Sequence, residues 1–359
     1  MGNMSLQLRF RSIAAYFIRL ILIWVIALFF LLIFQVDDTS ILSVYRSQNI
    51  MNVLCFGSIA GIIWGCIFKF ATAFLYRIPN YLISLMVRFL VNVSTAYLLV
   101  YIMYRMGGVS PIENFPSTFS QLILLYHSRL FYAVLAYFFV VGSLIEVFYE
   151  IDRKLGPGLL FKFLLGRYYK PKEEHRIFLF MDLKSSTYYA EKLGHFKYSR
   201  LIQDCFKDVS DAVRINRGEI YQYVGDEIVL SWKMKDGLVD LRCLRLFYDF
   251  LDILDKRKEY YQKQYGMVPI FKAGVHAGKV MVAEVGELKS EISYHGDAVN
   301  TASRIQGLCN TYDSRLLISG SLFSELSQKN KIDKEYSYLG EVLLTGKKIP
   351  TEIYSLSIN

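Results

Sequence analysis

Residues 176–187 read Arg-Ile-Phe-Leu-Phe-Met-Asp-Leu-Lys-Ser-Ser-Thr. The apolar run 176–181, rich in Ile and Phe and bounded by polar residues, predicts a buried strand. It ends at Asp182, and Lys184-Ser185-Ser186-Thr187 opens a helical pattern with a hydroxyl placed to cap it. From Tyr198, the residues Leu201, Ile202, Cys205, Phe206, Val209 and Val213 recur at three- and four-residue spacing. That spacing predicts a helix with one buried face, closed by Arg217-Gly218. Two β-rich runs, 219–224 and 227–232, flank Gly225-Asp226 as a tight hairpin. A long amphipathic helix follows over 238–264, then strands at 271–276 and 279–285 and a helix at 297–309. A strand at 315–318 and a final pair at 341–345 and 351–356, flanking Gly346-Lys347-Lys348, complete the order. Strands alternating with helices around a mixed sheet predict an α/β sandwich of ferredoxin-like character.

Upstream the composition changes. The first 150 residues carry 14 charged side chains, whereas the remaining 209 carry 59, so an apolar part precedes a part of ordinary water-soluble composition. Four stretches have the length and apolarity of membrane spans: 20–36, 53–74, 81–103 and 130–148. Arg9, Arg11 and Arg19 precede the first, but that run is long and aromatic with no small-x-small cleavage site after it, so an uncleaved span is expected. Lys69 and Arg77 join spans two and three, while Asp37 and Asp38 with only Arg46 follow span one. After span four come Arg153, Lys154, Lys162, Arg167, Lys170 and Lys172. This bias predicts a multi-pass protein of the plasma (inner) membrane, with both termini and the soluble domain cytoplasmic. Arg88, Asn92 and Glu146 fall inside or near the spans, where Arg88 is expected to pair within the bundle and Glu146 to reach the interface.

The expected organisation is a membrane domain over 1–150, a connector over 151–173 and a second domain over 174–359. In the connector, Gly156-Pro157-Gly158 breaks the chain before the apolar segment 159–165, which would lie on the membrane or pair with a second copy. The net charge of +9 divides as +4 and +5, without the dense basic stripe of a nucleic-acid binder. Five scattered cysteines, an odd total with no CxxC pair, argue against a disulfide framework or a zinc site.

The chemistry lies in the turns. Asp182 ends one strand and Asp226 sits in the hairpin expected beside it. Two carboxylates at a strand edge next to a helix N-terminus are the groups that hold hard divalent cations against a triphosphate. In Ser293-Tyr294-His295-Gly296-Asp297-Ala298-Val299-Asn300-Thr301-Ala302-Ser303-Arg304 a loop runs into a helix, and Asn300 and Arg304 share one face. An amide beside a guanidinium fixes a ribose oxygen and stabilises phosphoryl charge. His276 and His295 read as structural rather than as general bases.

Three motifs, residues 178–187, Tyr223-Val224-Gly225-Asp226-Glu227 and 296–304, together resemble the class III nucleotidyl cyclases, the adenylate and guanylate cyclases. The likeness covers about 174–356, so the expected fold is a four-span α-helical transmembrane domain followed by an α/β ferredoxin-like class III cyclase domain. The resemblance implies that Asp182 and Asp226, with the Leu183 carbonyl, bind two Mg²⁺ or Mn²⁺ ions. It implies that Asn300 orients the ribose, Arg304 stabilises the transition state, and Lys347 and Arg315 contact phosphate. Backbone N–H groups of Ser185, Ser186 and Thr187 would cradle phosphate. In such cyclases the metal ligands come from one domain and the Asn and Arg from its partner, which implies a homodimer with two shared sites.

Gln222 and Ser293 stand where the family fixes the base. Both side chains donate and accept, so their chemistry alone leaves the base open. ATP is favoured because Ser resembles the Thr of one adenylate-cyclase subgroup and no Glu is present to demand guanine. GTP, UTP and CTP are the alternative substrates, and a catalytically silent cyclase-like membrane receptor is the alternative of another class. A diguanylate cyclase gives no reason for Asn300 and Arg304.

Overall fold

The computed structural model describes residues 2–34, 47–75, 81–105, 129–156, 158–329 and 335–357. It divides into two compact units, Met1–Arg153 and Lys154–Asn359.

The first unit contains α1 (Gly2–Phe34), α2 (Ser47–Leu75), α3 (Tyr81–Arg105) and α4 (Arg129–Leu155). Each holds a segment long and apolar enough to cross a membrane: Ile13–Leu31, Ile50–Phe70, Leu82–Ile102 and Tyr132–Leu155. Asp37, Asp38, Arg46 and Arg77, on which the orientation argument leans, lie outside the described residues, as does the expected end of span one at 35–36. Small residues let α1 and α2 approach closely. A Cβ on Gly61 would stand 2.6 Å from the Ile21 Cα, so only glycine permits that crossing. Around it Trp24, Trp64 and Phe138 pack as a buried aromatic cluster, with Trp24 5.2 Å from Trp64 and 5.5 Å from Phe138 between ring centroids. Arg88 pairs inside the bundle, 3.5 Å from Glu146 and 3.6 Å from Glu150. The expectation that Glu146 reaches the interface is corrected. Its carboxylate is held inward by Arg88 and by Asn92, whose Nδ2 donates to it at 2.7 Å.

The second unit opens with α5 (Leu159–Leu164) and β1 (Lys172–Leu183). There follow α6 (Ser186–Ile215), β2 (Glu219–Val224), β3 (Glu227–Lys233), α7 (Met234–Gly237), α8 (Arg242–Lys256) and α9 (Lys258–Tyr265). The chain ends with β4 (Phe271–Val285), β5 (Glu291–His295), α10 (Asp297–Gly307), β6 (Leu316–Ser319), α11 (Gly320–Lys329), β7 (Tyr336–Val342) and β8 (Thr351–Leu356). The strand order is β2-β3-β1-β4-β6-β8-β7, with β5 paired to β4. Within it β2-β3-β1-β4 is wholly antiparallel and carries the expected ferredoxin-like arrangement, extended by β6 running parallel to β4.

Several elements differ from expectation. The two strands at 271–276 and 279–285 are one 15-residue strand, because β1 pairs along it from Lys172↔Val282 to Leu183↔Phe271 and carries the ladder through Ala277-Gly278. The helix expected over 238–264 breaks at Arg257, whose guanidinium bonds Asp208 and lies over the Tyr260 ring. Ser185 does not cap α6: it takes a left-handed backbone (φ 61°) and makes no side-chain capping bond. Capping oxygens act from an extended residue, and this turn aims the hydroxyl elsewhere. β5 occupies an expected loop, α11 forms where no helix is expected, and β7 starts ahead of 341.

Alternation along β1 sorts the core. Ile177, Leu179, Met181 and Leu183 join the cluster under α6 and α8, whereas Phe178 and Phe180 join Val280, Val282, Ala298 and Ala302 beneath α10. Asp182 follows that even-numbered side. α10 seats directly on β4, where a Cβ at Gly274 would fall 2.2 Å from the Gln306 nitrogen.

Candidate active site

Asp182 and Asp226 face each other at the end of the sheet where β1 stops and β2 turns into β3, with Glu227 next along the chain; among the described residues no group of three or more His, Cys, Asp or Glu is arranged to hold a metal ion. Asp182 is the next-to-last residue of β1, paired in register with Lys272 at the start of β4. Gly225 (φ 61°) and Asp226 form the two-residue hairpin closed by Val224↔Glu227. The Asp226 Oδ2 atom is buried and has no hydrogen-bond partner among the described residues. Burial first, and then the facing Asp226 carboxylate, hold Asp182 above the usual carboxylate range against the pull of Lys272. Burial, with Asp182 and Asp226 adding to it, pushes the Glu227 carboxyl up to about 7. Like charges held together out of water oppose ionisation, which is the electrostatic state a divalent cation relieves.

One oxygen of Asp182 is already occupied. Lys272 Nζ lies 3.4 Å from Oδ2 and Gln306 Nε2 donates to the same atom at 3.3 Å. Lys272 also donates to Asn310 Oδ1 at 3.4 Å. Sequence reasoning missed Lys272, Gln306 and Glu227. The available signals were a lone lysine, between Phe271 and Ala273, inside an apolar strand, and an acid directly after Asp226. Gln306 had none, because it reaches Asp182 only through the seating of α10.

Ser185, Ser186 and Thr187 follow at the start of α6, where the first N–H groups of a helix lack intrahelical acceptors. Arg315 stands just before β6, its Nε donating to the Phe271 carbonyl at 3.2 Å. It therefore shares the Asp182 end of the sheet.

Asn300, Arg304 and Lys347 make a separate group. Ala298, Thr301, Ala302, Ile305 and Gln306 are the buried residues of α10. At about 100° per residue, Arg304 lies roughly 200° around the helix from Gln306, on the side facing away from the sheet. Asn300 is exposed on that same outer side. A Cβ on Gly346 would lie 3.4 Å from an Arg304 guanidinium nitrogen, so the 345–347 turn borders it, and Lys347 Nζ pairs with Asp297 Oδ2 at 2.9 Å. His276 sits between sheet and helix, its Nδ1 2.7 Å from Ser319 Oγ, and burial lowers it to about 4. A neutral, hydrogen-bonded ring there fits the structural reading.

Gln222 is exposed on β2, level with Val229, and Ser293 is half-buried on β5, level with Ala283. Their neighbours Tyr221 and Tyr294 touch at 4.8 Å between ring centroids, which ties the two strands together. Within one chain the carboxylates gather at one end of the sheet, while Asn300 and Arg304 point off the outer side of α10.

A family model described as the adenylate and guanylate cyclase catalytic domain matches residues 168–357. Adenylate cyclase 2 of Rhizobium meliloti (strain 1021) is 32% identical over 248 residues, covering 69% of this chain and 66% of that protein. The adenylate cyclase of Anabaena cylindrica is 30% identical over 153 residues, covering 42% of this chain and 30% of its own length. The chain thus spans just under two thirds of the first relative and under a third of the second. A solved bacterial light-regulated adenylyl cyclase superposes with a TM-score of 0.52 at 16% identity, over 64% of this chain and 66% of that one, a likeness of fold.

Proposed function

The chain belongs to the adenylate and guanylate cyclase catalytic-domain family, and from that footing we propose that it converts ATP into 3′,5′-cyclic AMP and pyrophosphate. In this reaction the ribose 3′-oxygen attacks the α-phosphorus, the bond to the β-phosphate oxygen breaks, and the 3′-hydroxyl proton leaves to water. The observation that carries the reading is the buried Asp226 Oδ2 without a partner, facing an Asp182 carboxylate whose ionisation is opposed. Two hard carboxylates and a main-chain carbonyl at Leu183 suit Mg²⁺ or Mn²⁺, which take oxygen ligands and share them with substrate phosphates. Two such ions supply Lewis-acid stabilisation of the attacking and leaving oxygens when bound.

The chain's own residues do the rest. N–H groups of Ser185, Ser186 and Thr187, with Arg315, hold the triphosphate at the carboxylate end. Asn300 orients the ribose, Arg304 meets charge developing on the α-phosphoryl group, and Lys347 binds the terminal phosphates. Lys347 must first leave Asp297, its present partner. Gln222 and Ser293 line the base. Because Asn300 and Arg304 point away from their own Asp182, the site is completed by a second copy, one chain lending carboxylates and the other the amide and guanidinium. A two-fold pairing makes two such sites. The four apolar helices anchor the enzyme in the plasma (inner) membrane, with the catalytic unit on the cytoplasmic side.

The test uses the purified full chain in detergent with Mn²⁺ and each of the four ribonucleoside triphosphates, products being identified by mass. Cyclic AMP and pyrophosphate in equal amounts are expected. Faster turnover of GTP, UTP or CTP overturns the substrate, and no turnover of any overturns the enzyme.

A further inference from the structure

We propose that the outer face of α5 rests on the surface of an anionic lipid bilayer. α5 is apolar on both sides. Leu159 and Phe163 pack against the sheet beside Tyr168 and Phe178, and Lys162 Nζ lies 3.1 Å from Glu219 Oε1. The other side presents Leu164 and Leu165, 64% and 79% exposed, with Tyr169 80% exposed just beyond. Apolar side chains grouped in this way mark a covered surface.

Charge decides what covers it. Residues 151–172 hold six basic side chains, Arg153, Lys154, Lys162, Arg167, Lys170 and Lys172, against one acid, Asp152. Leucines and a tyrosine within a basic run match the acyl boundary and headgroups of an anionic leaflet. A second copy would set the same basic run against itself across a two-fold axis, which like charge opposes. Chain length permits the contact. The last membrane-length segment ends at Leu155 and α5 begins at Leu159, four residues on, so at most about 14 Å of extended chain separates them. The inference rests on the membrane reading of the four helices and is independent of which triphosphate is used.

The test uses the full chain with exposed Cys55 and Cys66 changed to Ser, in phosphatidylcholine vesicles containing about one third phosphatidylglycerol. Spin labels are placed in turn at Leu164→Cys, Leu165→Cys, Leu90→Cys as the lipid reference and Leu288→Cys as the water reference. At 164 and 165 the access of a water-soluble nickel relaxant is expected to fall about threefold below that at 288, with raised oxygen access. Changing Lys170 and Lys172 together to Gln is expected to reverse part of that protection. Labels at 164 and 165 as wet as at 288, with 90 lipid-immersed, overturn the proposal. Spin–spin broadening at both, lost on dilution with unlabelled chain, makes a second copy the occupant and overturns it as well. A wet label at 90 instead removes the membrane reading itself.

Discussion

In the helical unit the Arg88 guanidinium lies between Glu146 and Glu150, and Asn92 completes Glu146 at 2.7 Å. In the catalytic unit Asp182 pairs with one ammonium, Lys272, and faces Asp226 with Glu227 beside it, and the buried Asp226 Oδ2 has no donor among the described residues. Both clusters sit largely out of water, where an unpaired charge is costly. The first satisfies itself from its own side chains and reads as a cross-link between α3 and α4. The second has one ammonium for its acids, and on the proposed reading a bound cation completes it. The first set of partners is thus closed, and the second, on the proposed reading, is open.

That contrast is tested most strongly at Asp226. Asp226→Ala is expected to lower turnover about 10³-fold while crosslinking still shows the dimer. Activity within a few-fold of wild type contradicts the metal assignment. Next in size, mixing Asp182→Ala chains with Arg304→Ala chains should restore about a quarter of wild-type activity. Half of random pairs are mixed, and each mixed pair has one whole site. Proven heterodimers without rescue contradict sharing.

Stability should move the opposite way in the two clusters. Arg88→Leu leaves Glu146 without its cation and Glu150 with Arg153 still beside it, and is expected to cost about 1 kcal/mol of bundle stability in lipid, read by thermal unfolding. Asp226→Asn removes like charge, so the metal-free catalytic unit should unfold a few degrees higher although turnover is lost. A lower unfolding temperature would class Asp226 with the closed cluster.

The smallest effect is in pH. Glu227 is raised from an ordinary 4.5 to about 7, so its contribution to stability is complete below 4.5 and disappears as pH rises through about 7. Metal-free protein should accordingly unfold a few degrees lower at pH 8 than at pH 5, and Glu227→Gln should flatten that trend. Glu219 behaves in reverse. Burial opposes its ionisation, yet Arg176 and Lys162 hold it below its ordinary 4.5, so its contribution is complete above that value and is lost as pH falls further.

Local pattern made much of this legible. Apolar runs of membrane length, the apolar run at 176–181 and the glycine turn before Asp226 each depend on neighbours in sequence, and each stands in the structure. The i, i+4 spacing likewise put Asn300 and Arg304 on one helix face. Where local signals misled, a distant element outweighed them. Ala277-Gly278 looks like a break but is bridged by β1, and the helix expected across Arg257 ends where Asp208 captures its guanidinium.

The chain's residue order determined the two-part composition, the succession of strands and helices and the identity of the acids in the turns, because periodicity and turn chemistry act over a few residues. Only the folded chain decided that Gln306 reaches Asp182 from 124 positions away, that Lys272 shares that carboxylate, and that Arg304 points off the far side of the same helix. The first and third follow from α10 pressing on Gly274 of β4, and the second from the β1–β4 register that sets Asp182 opposite Lys272. Packing between distant elements sets the rotation of a helix on a sheet, and no short stretch of sequence carries that angle.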